Sequence, residues 1–252
     1  MEPAHIAIIG ATSAIAENCA RLWAERLPTR MTLVGRDQGR LDRIGADLAV
    51  RSPRTHIQTE IQGDPMDPAT IADLVGRVCS QTPPDIVLIA HGRLPDQSQC
   101  EQDLDACAQA LGLNGVSPVL YAEAFIASMV SAGRGTVAVI GSVAGDRGRK
   151  SNYVYGAAKG LVTRYMQGLQ HRLALDHSAV RAVLIKPGPT DTPMTAHLKA
   201  EGARLAPAAD VAAGIVRAID RGQPVAYVPG KWWLIMEVIR HLPRFLFNRV
   251  DI

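Results

Sequence analysis

Aromatic side chains are scarce in this 252-residue chain: three Phe, three Trp and five Tyr make up 4% of it. The formal net charge is only +3, with no run of like charges and no basic patch interleaved with rings. A nucleic-acid partner is therefore not expected. The four cysteines, Cys19, Cys79, Cys100 and Cys107, form no CxxC pair and no Cys/His metal spacing. Scattered thiols of this kind read as reduced, structural residues of a cytoplasmic protein. No apolar stretch reaches the roughly 18 residues of a membrane span. The N-terminus, apolar from Ile6 to Ile9, has no basic region or cleavage site of a secretory leader. Long linkers, repeats and low-complexity tracts are missing too. What these absences leave is a protein that is soluble or at most peripheral. Its 47% hydrophobic and 20% charged residues are enough to build a core.

What is present is alternation. Short aliphatic runs at His5–Ile9, Met31–Gly35, Thr55–Ile61, Ile86–Ala90, Gly135–Ile140, Arg181–Lys186 and Pro224–Tyr227 read as strands buried on both faces. Helical patterns fill the gaps: Ala14–Leu27, Gln38–Arg51, Pro68–Gln81, a stretch within Asp103–Ala132, Tyr153–Asp176 and Pro207–Arg221. Repeated βαβ units predict one Rossmann-like α/β domain over residues 1–230, a parallel seven-stranded sheet with helices on both faces. An amphipathic helical extension follows over 231–252.

The first strand runs into Gly10-Ala11-Thr12-Ser13-Ala14-Ile15-Ala16 and then a helix. Backbone N–H groups at such a helix N-terminus suit a pyrophosphate, and Gly10 permits the tight turn. Gly10, Thr12, Ser13, Ala14 and Ile15 are thus candidate cofactor contacts, although Ala14 and Ala16 stand where a dinucleotide fingerprint has glycines. The second strand ends in Val34-Gly35-Arg36-Asp37. Arg36 would hold a ribose 2′-phosphate, whereas Asp37 would accept from a 2′-hydroxyl; the arginine favours NADP(H) over NAD(H).

Gly141-Ser142 follows the fifth strand, and Tyr155-Gly156-Ala157-Ala158-Lys159 opens the following helix. Residues four apart share a helix face, so Tyr155 and Lys159 can converge. A lysine ammonium about 4 Å from the phenol, at an effective dielectric near 20, favours the phenolate by about 4 kcal/mol. That would bring the tyrosine from about 10 to about 7. Ser142 could then orient a substrate oxygen.

The Gly loop, Asn114, Ser142, Tyr155 and Lys159, in this order from Ile6 to about Tyr227, resemble the short-chain dehydrogenase/reductase family. The resemblance implies hydride transfer between nicotinamide C4 and a carbonyl carbon, with Tyr155 as acid or base. It also implies that Asn114 holds a proton-relay water linked to Lys159, that Lys159 holds the nicotinamide ribose, and that Asp64 contacts the adenine. The Pro187-Gly188-Pro189-Thr190-Asp191-Thr192 segment matches the loop over the nicotinamide, making Pro187, Gly188, Thr190 and Thr192 cofactor contacts. Where the family usually reads Asn-Ala-Gly, this chain has Ala90-His91-Gly92. His91 either braces the backbone there or takes a direct part in the site.

Two further features bear on the substrate. Gly145 to Asn152 carries Arg147, Arg149 and Lys150, which would bind an anionic substrate group or form a solvated basic loop. The stretch from Ser142 to Gly156 is locally similar to bacterial reductases that act on decaprenylphosphoryl-2-keto-ribose. In the tail, Trp232, Ile235, Met236, Ile239, Leu242 and Leu246 follow helical spacing, widened by Leu234, Val238 and Phe245. Lys231, Arg240, His241, Arg244 and Arg249 are interspersed, against Glu237 and Asp251. Pro243 would break or bend the helix. Such a face covers the cleft, packs in a homo-oligomer or lies on the inner face of a membrane. The expected substrate is a small-molecule or lipid-linked carbonyl compound, a phosphorylated or lipid-linked keto-sugar among them. The alternatives are an acyl or small-molecule ketone reductase and a non-catalytic NADP(H)-binding sensor or scaffold.

Overall fold

A computed structural model describes residues 3–26 and 28–250. Leu27, the expected end of the first helix, and Asp251 in the tail lie outside the described residues. β1 (Ala4–Ile9) leads into α1 (Ala14–Arg26), β2 (Thr29–Gly35) into α2 (Gln38–Arg51) and β3 (His56–Ile61) into α3 (Pro68–Val78). β4 (Ile86–Ile89) precedes α4 (Gln97–Gln102) and α5 (Leu104–Leu111), which a π turn at Gly112–Val116 joins to α6 (Ser117–Ala132). β5 (Thr136–Ile140) is followed by α7 (Tyr153–Leu175), and β6 (Arg181–Pro187) by the short β7 (Thr190–Asp191), α8 (Ala196–Ala200) and β8 (Ala206–Pro207). Then come α9 (Ala208–Asp220), β9 (Val225–Val228), α10 (Lys231–His241) and α11 (Arg244–Phe247). Aspartates start several helices: Asp37, Asp67, Asp96 and Asp103 each accept backbone N–H bonds as N-caps.

Seven strands pair in the order β3-β2-β1-β4-β5-β6-β9, all parallel, as the alternating pattern predicts. Along β1, Ile6 and Ile8 enter the core under α1, α2 and α9, while Ala7 and Ile9 enter the one under α3, α6 and α7. Both faces of the inner strands are covered, so these are largely apolar, whereas the edge strand β3 is polar and partly exposed, against the expectation of burial on both faces. Strand order reverses between β1 and β4, and the loops leaving their carboxyl ends part there to open a crevice.

Two expectations need correction. Helical structure is continuous over Leu104–Ala132, which is long and apolar enough by composition to cross a membrane. The inner face of α6, with Tyr121, Phe125, Ile126 and Met129, is instead built into the core. In the tail, the expected single stripe divides. Trp232 packs on the backbone of Gly188, where an added Cβ would lie 1.9 Å from Nε1, and Met236 is buried. Ile235 and Leu246 face outward with Trp233, Leu234, Val238 and Phe245. The chain turns at Leu242-Pro243, where proline cannot supply the next N–H.

Candidate active site

The turn after β1 demands a glycine twice over. Gly10 has φ +81, and a Cβ there would meet the His91 backbone nitrogen at 2.6 Å. The N–H groups of Gly10 and Ala11 both donate to Val34 O at 2.9 Å, which pins the loop to β2. Gly10, Thr12, Ser13, Ala14 and Ile15 line the cleft, with the N-terminus of α1 opening onto it. Ala16 turns away and is fully buried, so its methyl group serves the core.

At the β2 end, Arg36 lines the cleft beside Arg40, whose Nη2 donates to Thr12 O at 3.0 Å. Asp37 is occupied as the α2 N-cap, accepting from the Arg40 N–H at 3.0 Å, and is not among the lining residues. Asp64 is exposed, its Oδ1 accepting from the Met66 N–H at 2.8 Å; Gln62 and Pro65 form the wall instead. Arg40, Gln62 and Pro65 carry no sequence signal of their own, because helix pitch and a turn after β3 bring them round.

The cleft continues past Ser13, Ile15, His91, Gly92 and Thr192 to Ser142, Tyr155 and Lys159. Pro187, Gly188 and Thr190 line this end as well. Thr190 donates its hydroxyl to Gly188 O at 2.9 Å, and the Thr192 hydroxyl meets that of Thr195 at 3.2 Å. Ser142 Oγ accepts from the Ala144 N–H at 3.1 Å, so its own hydrogen is directed into the cleft, toward the Tyr155 phenol. Asn114 is fully buried inside the π turn, a feature that recurs at functional sites. Its Nδ2 donates to Ala110 O at 2.9 Å and its Oδ1 accepts from the Arg93 N–H at 2.8 Å. An added Cβ on Gly92 would lie 2.9 Å from that Oδ1 and 3.8 Å from Lys159 Nζ.

The phenol does not behave as spacing alone predicts. Burial pushes Tyr155 up to about 12, against a hydrogen bond with Ser142 that pulls it down. Lys159 donates to Ile140 O at 2.9 Å and lies 5.8 Å from the Tyr155 ring centre. Burial pushes the lysine down to about 8. Burial dominates both shifts, and in each it disfavours the charged form.

His91 sits in the cleft wall. Its Nε2 pairs with Ser117 Oγ at 2.8 Å, and its ring meets Tyr121 edge-on at 5.5 Å. The imidazole therefore braces the end of β4 against α6, through a side chain. Burial, then Lys159 and Arg36, pushes its pKa down to about 3, so it is neutral. Nδ1 is buried without a protein partner.

The basic loop has three separate fates. Arg147 is taken by the tail: its Nη1 donates to Ile239 O at 2.5 Å and Leu242 O at 2.6 Å, and its guanidinium stacks 3.8 Å above Phe247. Lys150 is exposed. Arg149 lines the cleft with Asn152, beside Ser142 and Tyr155. Below them Asp146 pairs with Lys186 and accepts from the Tyr227 hydroxyl at 2.7 Å. The side chains of Lys186 and Asp146 are only 4% and 2% exposed. Sequence reading did not find this buried trio, since its members come from a loop and two strands.

A nicotinamide dinucleotide fits these residues. One end of the cleft offers the α1 N-terminus and two guanidinium groups, and its wall holds the orphaned Nδ1 of His91. No cluster of metal-ligating residues occurs among the described residues. Residues 4–203 match the family model for short chain dehydrogenase. An uncharacterized oxidoreductase of Streptomyces coelicolor is 30% identical over 251 residues, 98% of this chain and 96% of the relative. Another from Mycobacterium tuberculosis is 31% identical over 249 residues, 98% and 97% of the two chains. Among solved structures, a short-chain dehydrogenase from Sphingobium yanoikuyae in complex with NADPH has a TM-score of 0.80 at 24% identity, covering 98% of this chain and 96% of that one. Levodione reductase has a TM-score of 0.78 at 21% identity, covering 90% and 96%.

Proposed function

This chain belongs to the short-chain dehydrogenase family, and we propose that it is an NADP(H)-dependent carbonyl reductase with Tyr155 as its proton donor. The observation that carries the reading is the convergence of Ser142, Tyr155 and Lys159 on a cleft whose far end holds Arg36 and Arg40. Ser13, Ile15, Lys159 and Thr192 would hold the nicotinamide end of the dinucleotide, which would supply or accept the hydride. The rest falls to this chain's own groups. The Tyr155 O–H lies in this cleft and can give its proton to a carbonyl oxygen as negative charge develops on it. The Ser142 hydroxyl can turn its hydrogen from the phenol to that same oxygen. Lys159 offsets the charge of the phenolate left behind. Arg36 and Arg40 match a ribose 2′-phosphate, with Asp37 withdrawn into its cap.

The outer face of α10 and α11 belongs to the same reading. Trp233, Leu234, Val238 and Phe245 are exposed and bordered by Lys231, Arg244 and Arg249. This pairing of apolar surface with cations fits an anionic membrane surface. Trp232 ties that helix to the cleft wall, which would set the cleft beside a lipid-linked keto-sugar.

NADPH consumption against a panel of ketones tests the reaction. In Tyr155→Phe, turnover is expected to fall by about 10²–10⁴, the usual worth of a general acid, while NADPH still binds. Replacing Arg36 and Arg40 with alanine should lower the NADPH-to-NADH preference by at least about 10- to 100-fold, the worth of a single charge-assisted hydrogen bond. NADPH binding without any Tyr155-dependent turnover would point to the non-catalytic binding protein. Equal use of NADH by the native chain would overturn the NADP(H) assignment.

A further inference from the structure

The tail falls outside the stretch that matches the family, residues 4–203, yet α10 is fastened to the cleft at both ends. At its start, Trp232 lies on the Gly188 backbone, in the wall that also carries Pro187 and Thr190. At its end, Arg147 Nη1 donates to Ile239 O at 2.5 Å and Leu242 O at 2.6 Å, and the guanidinium stacks on Phe247 of α11. The last carbonyls of a helix have no partner within it, so a cation that bonds them also meets the negative end of the helix dipole. With 11 residues α10 is about 16 Å long, enough to bridge the two walls.

The wall that Arg147 holds is the one that seats the reacting groups. Ser142 opens a tight turn, in which the Gly145 N–H donates to Ser142 O at 3.1 Å and the Asp146 N–H to Val143 O at 3.2 Å. That turn rests directly on α7. An added Cβ on Gly145 would lie 2.7 Å from the Lys159 carbonyl, and one on Gly156, next to Tyr155, would lie 2.9 Å from Ala144 O. We infer, on the reductase reading, that Arg147 is a positioning residue: acting through α10, it sets Ser142 against Tyr155 and Lys159, with Trp232 as the far anchor. Asp146, paired with Lys186 and Tyr227, ties the turn to the sheet; Arg147, next in sequence, ties it to the tail. Proton transfer needs its partners within about 2.6–3.2 Å, so slack in this turn reaches the chemistry directly. Arg36 and Arg40, at the other end of the cleft, are untouched by it. Of the α10 side chains Met236 is the buried one, so loosening the clamp leaves the core under the sheet intact.

Arg147→Ala, Arg147→Lys and Trp232→Leu test the assignment, with NADPH and camphorquinone as the carbonyl probe. Arg147→Ala should lower kcat about 10- to 100-fold with KM for NADPH within about twofold, since a misplacement of about 1 Å can cost about 10²-fold. Arg147→Lys, which can still reach a helix-end carbonyl, should recover part of the loss. Trp232→Leu, which frees the far end of α10, should lower kcat in the same way; an unchanged kcat there would remove α10 from the link. A clamp with a structural role alone would lower Tm and leave the kcat of the folded protein as it was, and that result overturns the assignment. Should Arg147→Ala fail to fold, the other two variants carry the same readings. Hydrogen exchange follows the clamp without turnover: in Arg147→Ala the amides of residues 142–146 should lose protection at least about tenfold while β1 and β4 keep theirs. If the native chain shows no Tyr155-dependent reduction of camphorquinone, the reductase reading fails on this probe and exchange alone decides. Protection lost at 142–146 supports the link between tail and turn; unchanged protection overturns it.

Discussion

Removing the charge of Lys186 by Lys186→Met isolates the buried trio beneath the loop. Lys186 and Asp146 are an ion pair almost without solvent, and Asp146 also accepts from Tyr227 at 2.7 Å. Methionine is of similar length and fills the space, so the cavity contribution is small. What remains is a buried carboxylate that has lost its cation, a change that costs about 3–5 kcal/mol. For a domain of this size about 1 kcal/mol corresponds to roughly 2–4 °C in Tm, so a fall of about 6–20 °C is expected. The double variant Lys186→Met/Asp146→Asn removes both charges and keeps an acceptor for Tyr227. It should recover most of that loss, because the cost lies in the unpaired charge and not in the missing bridge. Urea unfolding of the native chain, both single variants and the double completes the cycle. A Lys186→Met penalty below about 1 kcal/mol would refute the argument. So would a double variant as unstable as the sum of the singles, since coupled residues must depart from additivity.

Stability should also fall in mild acid. Arg30 Nη2, which can only donate, meets His5 Nδ1 at 2.9 Å, so His5 is neutral and its Nε2–H faces Thr32 Oγ1 at 3.0 Å. Burial and then Arg30 push its pKa from 6.5 down to about 4. The unfolded chain therefore binds this proton first: the contribution is intact above pH 6.5 and lost as pH falls toward 4. Between pH 7 and 5 it amounts to about 2 kcal/mol, and His5→Gln should flatten that slope in urea titrations. An unchanged slope would place the proton elsewhere. For the tail, flotation with phosphatidylglycerol vesicles should recover the native protein, less so at high salt or in Trp233→Ser/Phe245→Ser. Concentration-dependent self-association without vesicle binding would assign that face to a second copy.

The sheet was legible in the sequence because strands buried on both faces are mostly apolar and separate from the helical stretches; the edge strand β3, expected to be buried as well, is instead polar and partly exposed. Elements of a few residues, α4, β7, α8 and β8, are too brief for periodicity to register. Gly10 and the Tyr155–Lys159 spacing were readable for local reasons, a positive φ and one helix face. The protonation of Tyr155 was not. Spacing sets the distance between two groups along a helix, whereas desolvation depends on everything packed around them.

The amino-acid order by itself determined the fold class, the place of the Gly loop and the serine, tyrosine and lysine at the cleft, since each follows from local geometry or strand pattern. Only the tertiary structure decided the division of labour among charges. Arg147, Arg149 and Lys150 are near neighbours in sequence, yet one caps α10, one enters the cleft and one meets solvent. Likewise Asp37 became a cap and Arg40 a cleft residue, and Asp146 found Lys186 and Tyr227 across two strands. A side chain's charge is written in the sequence; what it faces, and how much water remains around it, depends on contacts between residues far apart in the chain.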